Sequence, residues 1–242
     1  MSNSNTYQSK LTAYGATERE RRKKLLLNTI SKSVPSLLSA KKVDIYAPNS
    51  AVPSAQVLSL FTTESLNKRE LRTLPGETIE AGSIVDWAGS KWLATSVDAD
   101  EELYQRGILE RCNYVLKFRD NSGNVISKNC VIEDATKYTL GERAKETLVV
   151  GDSRITLKIA KDSDTQHFKR GLRFIVDDPD SDEALVYEIA NSDRITGRYT
   201  KSGVYNFIIR ETNAIPSDSP NTSVSDNSEY VPGAPSEKGG WF

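Results

Sequence analysis

The residues able to do chemistry are few and dispersed. Cys112 and Cys130 are the two thiols and His167 the one imidazole. Two cysteines cannot complete a four-ligand zinc site or a disulfide framework, and one histidine excludes metal centres built on histidine clusters. A Ser-His-Asp hydrolase has almost nothing to draw on either. Both thiols fall inside runs that read as strands, where a buried sulfur acts as a small hydrophobe. His167 stands at a loop-to-strand junction near Asp162, Asp164 and Lys169, and reads as a surface or capping residue.

Oxygen ligands are more plentiful. Asp98, Asp100, Glu101 and Glu102 form one acidic turn, and Asp177, Asp178, Asp180, Asp182 and Glu183 another. The second offers a hard cation enough carboxylates but lacks the central Gly and distant Glu of an EF-hand loop. Pro179-Asp180 makes a good turn unaided, so a solvated loop is the expectation, with cation binding the alternative. The glycines are scattered singly, with no GxGxxG, P-loop or GxSxG pattern. Paired glycosidase carboxylates need no local motif, but 8% aromatic residues is modest for a sugar-binding cleft. The reading is therefore of a chain that is not an enzyme, with no cofactor and no metal.

The densest cluster of charge is Arg19, Arg21, Arg22, Lys23 and Lys24. It could meet phosphate or an acidic protein surface, although the start of a helix favours acids over bases. That helix is predicted from Thr17, whose hydroxyl with the Glu20 carboxylate makes a capping-box pattern. Its apolar side matures late, with Leu25, Leu26, Leu27 and Ile30, and Pro35 ends it or starts a short turn through Leu37 and Leu38.

From Val43 the pattern is of short β-type runs: 43–46, 56–61, 83–87, 91–97 and 108–118. Ala88-Gly89-Ser90 and Asp120–Gly123 read as hairpin turns. Cys112, Tyr114, Leu116 and Phe118 alternate with other residues, as in a half-buried strand. A second set follows at 147–151, 154–160, 171–178, 184–191 and 203–212. In each set a Gly-led strand, from Gly82 or Gly171, precedes a comparable run, which suggests a duplicated small β-barrel or sandwich. The expected boundary lies near Asp134–Lys145. Beyond Asn213, Ser, Pro, Asn, Asp and Gly dominate, and such a segment reads as an extended arm. Tyr230, Val231, Trp241 and Phe242 are its candidate anchors on a partner; a tail folded back on its own domain is the other possibility.

The expected fold is therefore mainly β: two small antiparallel β-barrel or sandwich modules, an N-terminal helix and an extended C-terminal arm. The divisions are 1–42, 43–135, 136–213 and 214–242. The 242 residues carry 32 Lys+Arg against 33 Asp+Glu, a net charge of -1, so no global field draws the chain to nucleic acid or an anionic membrane. No apolar run approaches the roughly 20 residues that cross a bilayer. The opening MSNSNTYQSK lacks the features of a signal peptide, so a cytoplasmic chain is the simplest expectation.

The stretch Gly82 to Asn129 carries a resemblance. Its order is a Gly-led hydrophobic strand, Trp92-Leu93-Ala94-Thr95, an acidic turn, and Arg111-Cys112-Asn113 before Leu116-Lys117-Phe118. This resembles virion structural proteins of tailed bacteriophages of Gram-positive hosts. Tyr7 to Gly15 before the charged helix, and 151–159 with 171–178 before 184–189, fit the same picture. The resemblance implies a head-to-tail connection protein of stopper (head-closure), adaptor or collar type, located in the virion and assembled in the host cytoplasm. It further implies a ring of identical copies with portal, adaptor and tail proteins as neighbours, possible DNA contact in the channel, and no membrane. It carries over no catalytic residues. The alternative is a carbohydrate- or cation-binding β module, such as a decoration or fibre-base protein.

Overall fold

The computed structural model describes residues 15, 17–98, 102–119, 124–134, 154–176, 185–193, 198–199, 202–216, 218 and 225. The chain divides into two compact units, Met1–Arg111 and Cys112–Phe242. Each is built on an antiparallel β-sheet, and the fold class is mainly β with one N-terminal helix.

In the first unit, helix α1 (Glu18–Ser33) leads through a 3-10 turn (Val34–Ser36) into six strands. These are β1 (Ala40–Tyr46), β2 (Ser54–Thr62), β3 (Lys68–Arg72), β4 (Ile84–Trp87), β5 (Ser90–Asp98) and β6 (Arg106–Arg111). They close into a barrel in the order β1-β2-β3-β6-β5-β4. Alternation places Val43, Ile45, Leu58, Leu71, Val85, Trp92 and Leu109 in its core. Strand β3 escapes the hydrophobic pattern because only Leu71 in Lys-Arg-Glu-Leu-Arg is buried. Its charged residues are held by partners instead: Lys68 pairs with Glu110 at 3.1 Å, and Arg69 and Arg72 lie over the rings of Trp92 and Phe61. The predicted hairpin turn between β4 and β5 is present, with Ala88 at φ 52° and Gly89 at φ 71°, the signature of a type I′ turn.

The second unit holds β7 (Tyr114–Arg119), β8 (Val125–Asp134), β9 (Arg154–Ala160), β10 (Arg173–Val176), β11 (Leu185–Asp193), β12 (Arg198–Tyr199) and β13 (Ser202–Thr212). The main sheet runs β10-β11-β13-β9-β8-β7, with β12 paired to β13. Leu116, Phe118, Leu157, Ile159, Phe174, Ile189, Phe207 and Ile209 fill its core.

The boundary differs from expectation. The run 108–118, expected as one strand of the first module, is two strands, β6 and β7, interrupted at Cys112-Asn113, and the units divide there. Asn113 breaks the run by turning its side chain onto β8: Nδ2 donates to the Ile132 carbonyl and Oδ1 accepts from the Ile132 N–H. Strands β7 and β8 thus belong to the second unit, with β8 pairing to β9. The strand expected at 147–151 lies outside the described residues.

The duplication expected from the sequence is present in the topology. Numbering each unit's main strands from one to six gives the same order, 1-2-3-6-5-4, in both. Register extends the match to residues. The Gly82 N–H donates to the Ala94 carbonyl and the Ala94 N–H to the Ser83 carbonyl; Gly171, Ile189 and Leu172 repeat both bonds. Gly82 and Gly171 have φ 90° and 89°, which only glycine adopts without strain. The β-bulge at Ala94/Ser96 recurs at Ile189/Asn191. Closure is where they differ. Strands β1 and β4 pair through Ile45↔Val85, whereas among the described residues β7 and β10 lie near each other without a ladder. Phe168 occupies that seam, edge-on to Phe118 at 4.8 Å and tilted against Phe174 at 5.2 Å.

Candidate functional site

The described surface feature that most invites a partner is α1. Its start is set by the capping box: the Glu20 N–H donates to Thr17 Oγ1 and the Thr17 N–H to Glu20 Oε2. Its end is set by Pro35 in the following turn. None of its residues is buried. Leu25 and Leu26 remain 54% and 50% exposed, and Leu37 and Leu38, just beyond it, 48% and 95%. An apolar residue held half in water or more gains little from folding.

The basic residues on the same helix are tied down more than their number suggests. Arg19 Nη2 lies 2.9 Å and Lys23 Nζ 3.2 Å from the Glu102 carboxylate, on the connection between β5 and β6. Arg22 pairs with Glu18 one turn back at 3.0 Å, and Arg21 Nε donates to the Gly15 carbonyl. Lys24 also has an interaction. The hydrogen bond from Lys23, and the charges of Arg19 and Lys23, hold the Glu102 carboxyl below its usual range. Glu102, one of the carboxylates of the acidic turn expected to face solvent or a cation, is the counter-ion of Arg19 and Lys23 on the helix. Between α1 and the β5–β6 connection lies a cleft of about 810 Å³. Leu26 and Leu103 give it an apolar side, and Arg19, Arg22 and Asp98 line it further.

The other candidate residues are dispersed. Cys130 is buried in β8, and burial together with the nearby Cys112 raises its thiol above the ordinary range, so it stays protonated. Cys112 is half-buried between β6 and β7 rather than inside a strand. His167, half-buried, packs edge-on against Phe168 and beside Phe118. Asp162 and Asp164 are engaged structurally: one Asp162 oxygen accepts from the Asp164 and Thr165 N–H groups and the Thr165 hydroxyl. Lys128 reaches both carboxylates at 2.7 Å. Burial opposes the Lys128 charge, but those two partners outweigh it and its pKa lies above the usual lysine value. Among the described residues no three His, Cys, Asp or Glu side chains are grouped to hold a metal ion, and no helix is long and apolar enough to cross a membrane. Residues 177–183, Tyr230, Val231, Trp241 and Phe242 lie outside the described residues.

The segment after Asn213 holds a feature its composition concealed. Arg173 Nη2 meets the Asp218 carboxylate at 2.8 Å and also donates to the Asn213 carbonyl. The Asp218 side chain is 2% exposed and that of Arg173 14%. Asp218 accepts the Ile215 N–H as well, closing a turn. Ser225 is buried too. The start of the expected arm is thus clamped to the second unit, because one ionic anchor supplies what apolar periodicity does not.

No protein-family model matches the chain, and no curated protein does. Among solved structures, MrkH, described as a c-di-GMP-dependent transcription regulatory factor, is 9% identical over 81% of this chain and 86% of its own, with a TM-score of 0.26. The K. pneumonia MrkH complex with c-di-GMP is 8% identical over 79% and 86%, with a TM-score of 0.25. Overlays that loose give no ground for carrying a ligand or a role to this chain.

Proposed function

We propose that this chain is a structural subunit of a tailed-phage head-to-tail connector, working by protein–protein assembly and not by turnover at a site. The observation that carries the reading is the set of exposed leucines on and just beyond α1, Leu25, Leu26, Leu37 and Leu38. Leu25 and Leu26 stand on a helix in which Arg19, Arg22 and Lys23, three of six cations, are already ion-paired. Desolvating an ion pair already made costs a partner less than desolvating isolated charges, so such a face suits contact between proteins. The resemblance of Gly82–Asn129 to virion proteins supplies the setting, and ring contacts between copies are the heterologous kind that close by rotation.

The test is complementation. In cells whose phage lacks this gene, the wild-type chain supplied in trans restores complete particles, whereas Leu25→Asp/Leu26→Asp does not. Both leucines are about half in water, so the variant keeps wild-type thermal unfolding. Full complementation by the folded variant would overturn the reading.

A further inference from the structure

We propose that one end of the first barrel grips the phosphate backbone of duplex DNA. The proposal rests on the assembly reading above for its choice of DNA as the polyanion; the site itself stands on the barrel. The antiparallel ladders run β1, β3 and β5 one way and β2, β4 and β6 the other. The starts of the first three and the ends of the last three therefore meet at one end. Register shows which side chains point inward there, because directly opposed residues share a face. Lys41 is opposite Leu58 and Arg69 opposite Leu109, both fully buried in the core. Arg111 is opposite Trp92, and Trp87 lies two positions beyond Val85 and packs against the same core. This end thus sets Lys41, Arg69 and Arg111 around two tryptophans, with no carboxylate at its inward strand positions. Glu70, Asp86 and Glu110 alternate with these residues, face outward and pair with Arg72, Lys91 and Lys68.

The first support is missing counter-charge. Among the described residues none of Lys41, Arg69 and Arg111 has a carboxylate partner: Arg69 donates to the Lys68 carbonyl and Arg111 to the Ser90 hydroxyl. Lys41 and Arg111 are exposed. On α1, by contrast, Glu18 and Glu102 take three cations. Arg111 stands two residues beyond Leu109, so it and Arg69 are diagonal neighbours across β3 and β6, with Cα atoms about 7–8 Å apart. Like charges that close repel until an anion lies between them.

The second support is positioning. The Arg69 guanidinium lies over the Trp92 ring at 5.7 Å, and Trp92 packs on Trp87 at 5.7 Å. A guanidinium held flat on a ring presents N–H groups along its edge, the geometry that receives two oxygens of one phosphate. Lys41, on the other side of the tryptophans, is a point charge for a second phosphate. The Trp92 side chain is buried and its indole N–H has no acceptor. A buried donor left unmet carries a cost that an incoming phosphate oxygen removes.

The experiment titrates the full chain into a labelled duplex of ~20 base pairs and follows anisotropy from about 50 to about 200 mM salt. Three phosphate contacts give a slope of about −2.7 in log K against log salt, roughly a 40-fold loss across that range. Lys41→Gln/Arg111→Gln alters two exposed residues and keeps wild-type thermal unfolding. It should bring the slope near about −0.9 and lower affinity at least about tenfold at the low-salt end. Arg22→Gln, on α1, changes neither. Absence of duplex binding, or a slope indifferent to the rim variant, overturns the proposal. So does displacement of the duplex by polyglutamate at equal charge concentration, which makes this end a site for acidic protein. The assembly reading fails separately: it falls if the rim binds duplex as expected while Leu25→Asp/Leu26→Asp still complements, and it stands if no duplex binds while that variant does not complement.

Discussion

Replacing Asp218 with Asn tests whether a single ionic clamp holds the start of the C-terminal segment. The substitution preserves shape and leaves an oxygen to accept the Ile215 N–H, but it strips Arg173 of its counter-charge. Removing one partner of a buried pair costs about 3–5 kcal/mol. The lower end applies, because Arg173 is 14% exposed and keeps its bond to the Asn213 carbonyl. A loss of about 3 kcal/mol corresponds to roughly 12 °C in a unit of this size. Calorimetry reads the global effect, and hydrogen exchange at 213–218 reads local release. Arg173→Met and the double variant complete a cycle, in which Asp218→Asn should cost much less once Arg173 is gone. If Asp218→Asn lies within about 1 kcal/mol of wild type, or costs as much in the Arg173→Met background, the clamp argument is wrong.

Other substitutions probe the barrels. A Cβ on Gly107 would meet the Ser96 carbonyl oxygen at 2.5 Å across the β5–β6 bulge, so Gly107→Ala should cost about 2 kcal/mol or more by urea unfolding. Ala88 sits at φ 52° in the β4–β5 turn, so Ala88→Gly should raise stability by about 0.5–1 kcal/mol, and Ala88→Val should lower it. Cys130 gives a pH signature. Its thiol is raised on folding, so the native state keeps a proton that the unfolded chain loses above about pH 9. Stability is full below that pH and falls by about 1.4 kcal/mol per unit as pH rises further. Cys130→Ala, compared across the alkaline range, should lack that component of slope.

Several features were legible because their cause is local. The Thr17/Glu20 box, the stop at Pro35 and the Ala88-Gly89 turn depend on neighbours in sequence, and the structure has each. The Gly82 and Gly171 correspondence was visible because a positive φ at the same point of two hairpins demands the same residue. What was hidden depends on distant partners. β3, Lys-Arg-Glu-Leu-Arg, shows no β-type run in sequence, because Glu110, Trp92 and Phe61, which hold its cations, are distant along the chain. The break at Cys112-Asn113 interrupts an unbroken β-type run because Asn113 finds Ile132, nineteen positions on. The same holds at the surface. Five adjacent cations looked available for a partner, yet Glu102, far along the chain, takes two of them. Of the apolar residues beside them, Leu27 and Ile30 are half-buried, but Leu25 and Leu26 are exposed.

The most direct measurement of the central claim is the copy number of this chain in density-gradient-purified tailed particles from cells that encode it, by quantitative mass spectrometry against the major capsid protein. The account predicts a fixed, low, ring-sized number of copies per particle that survives high-salt washing. Complete, infectious particles from which the chain is absent would contradict it.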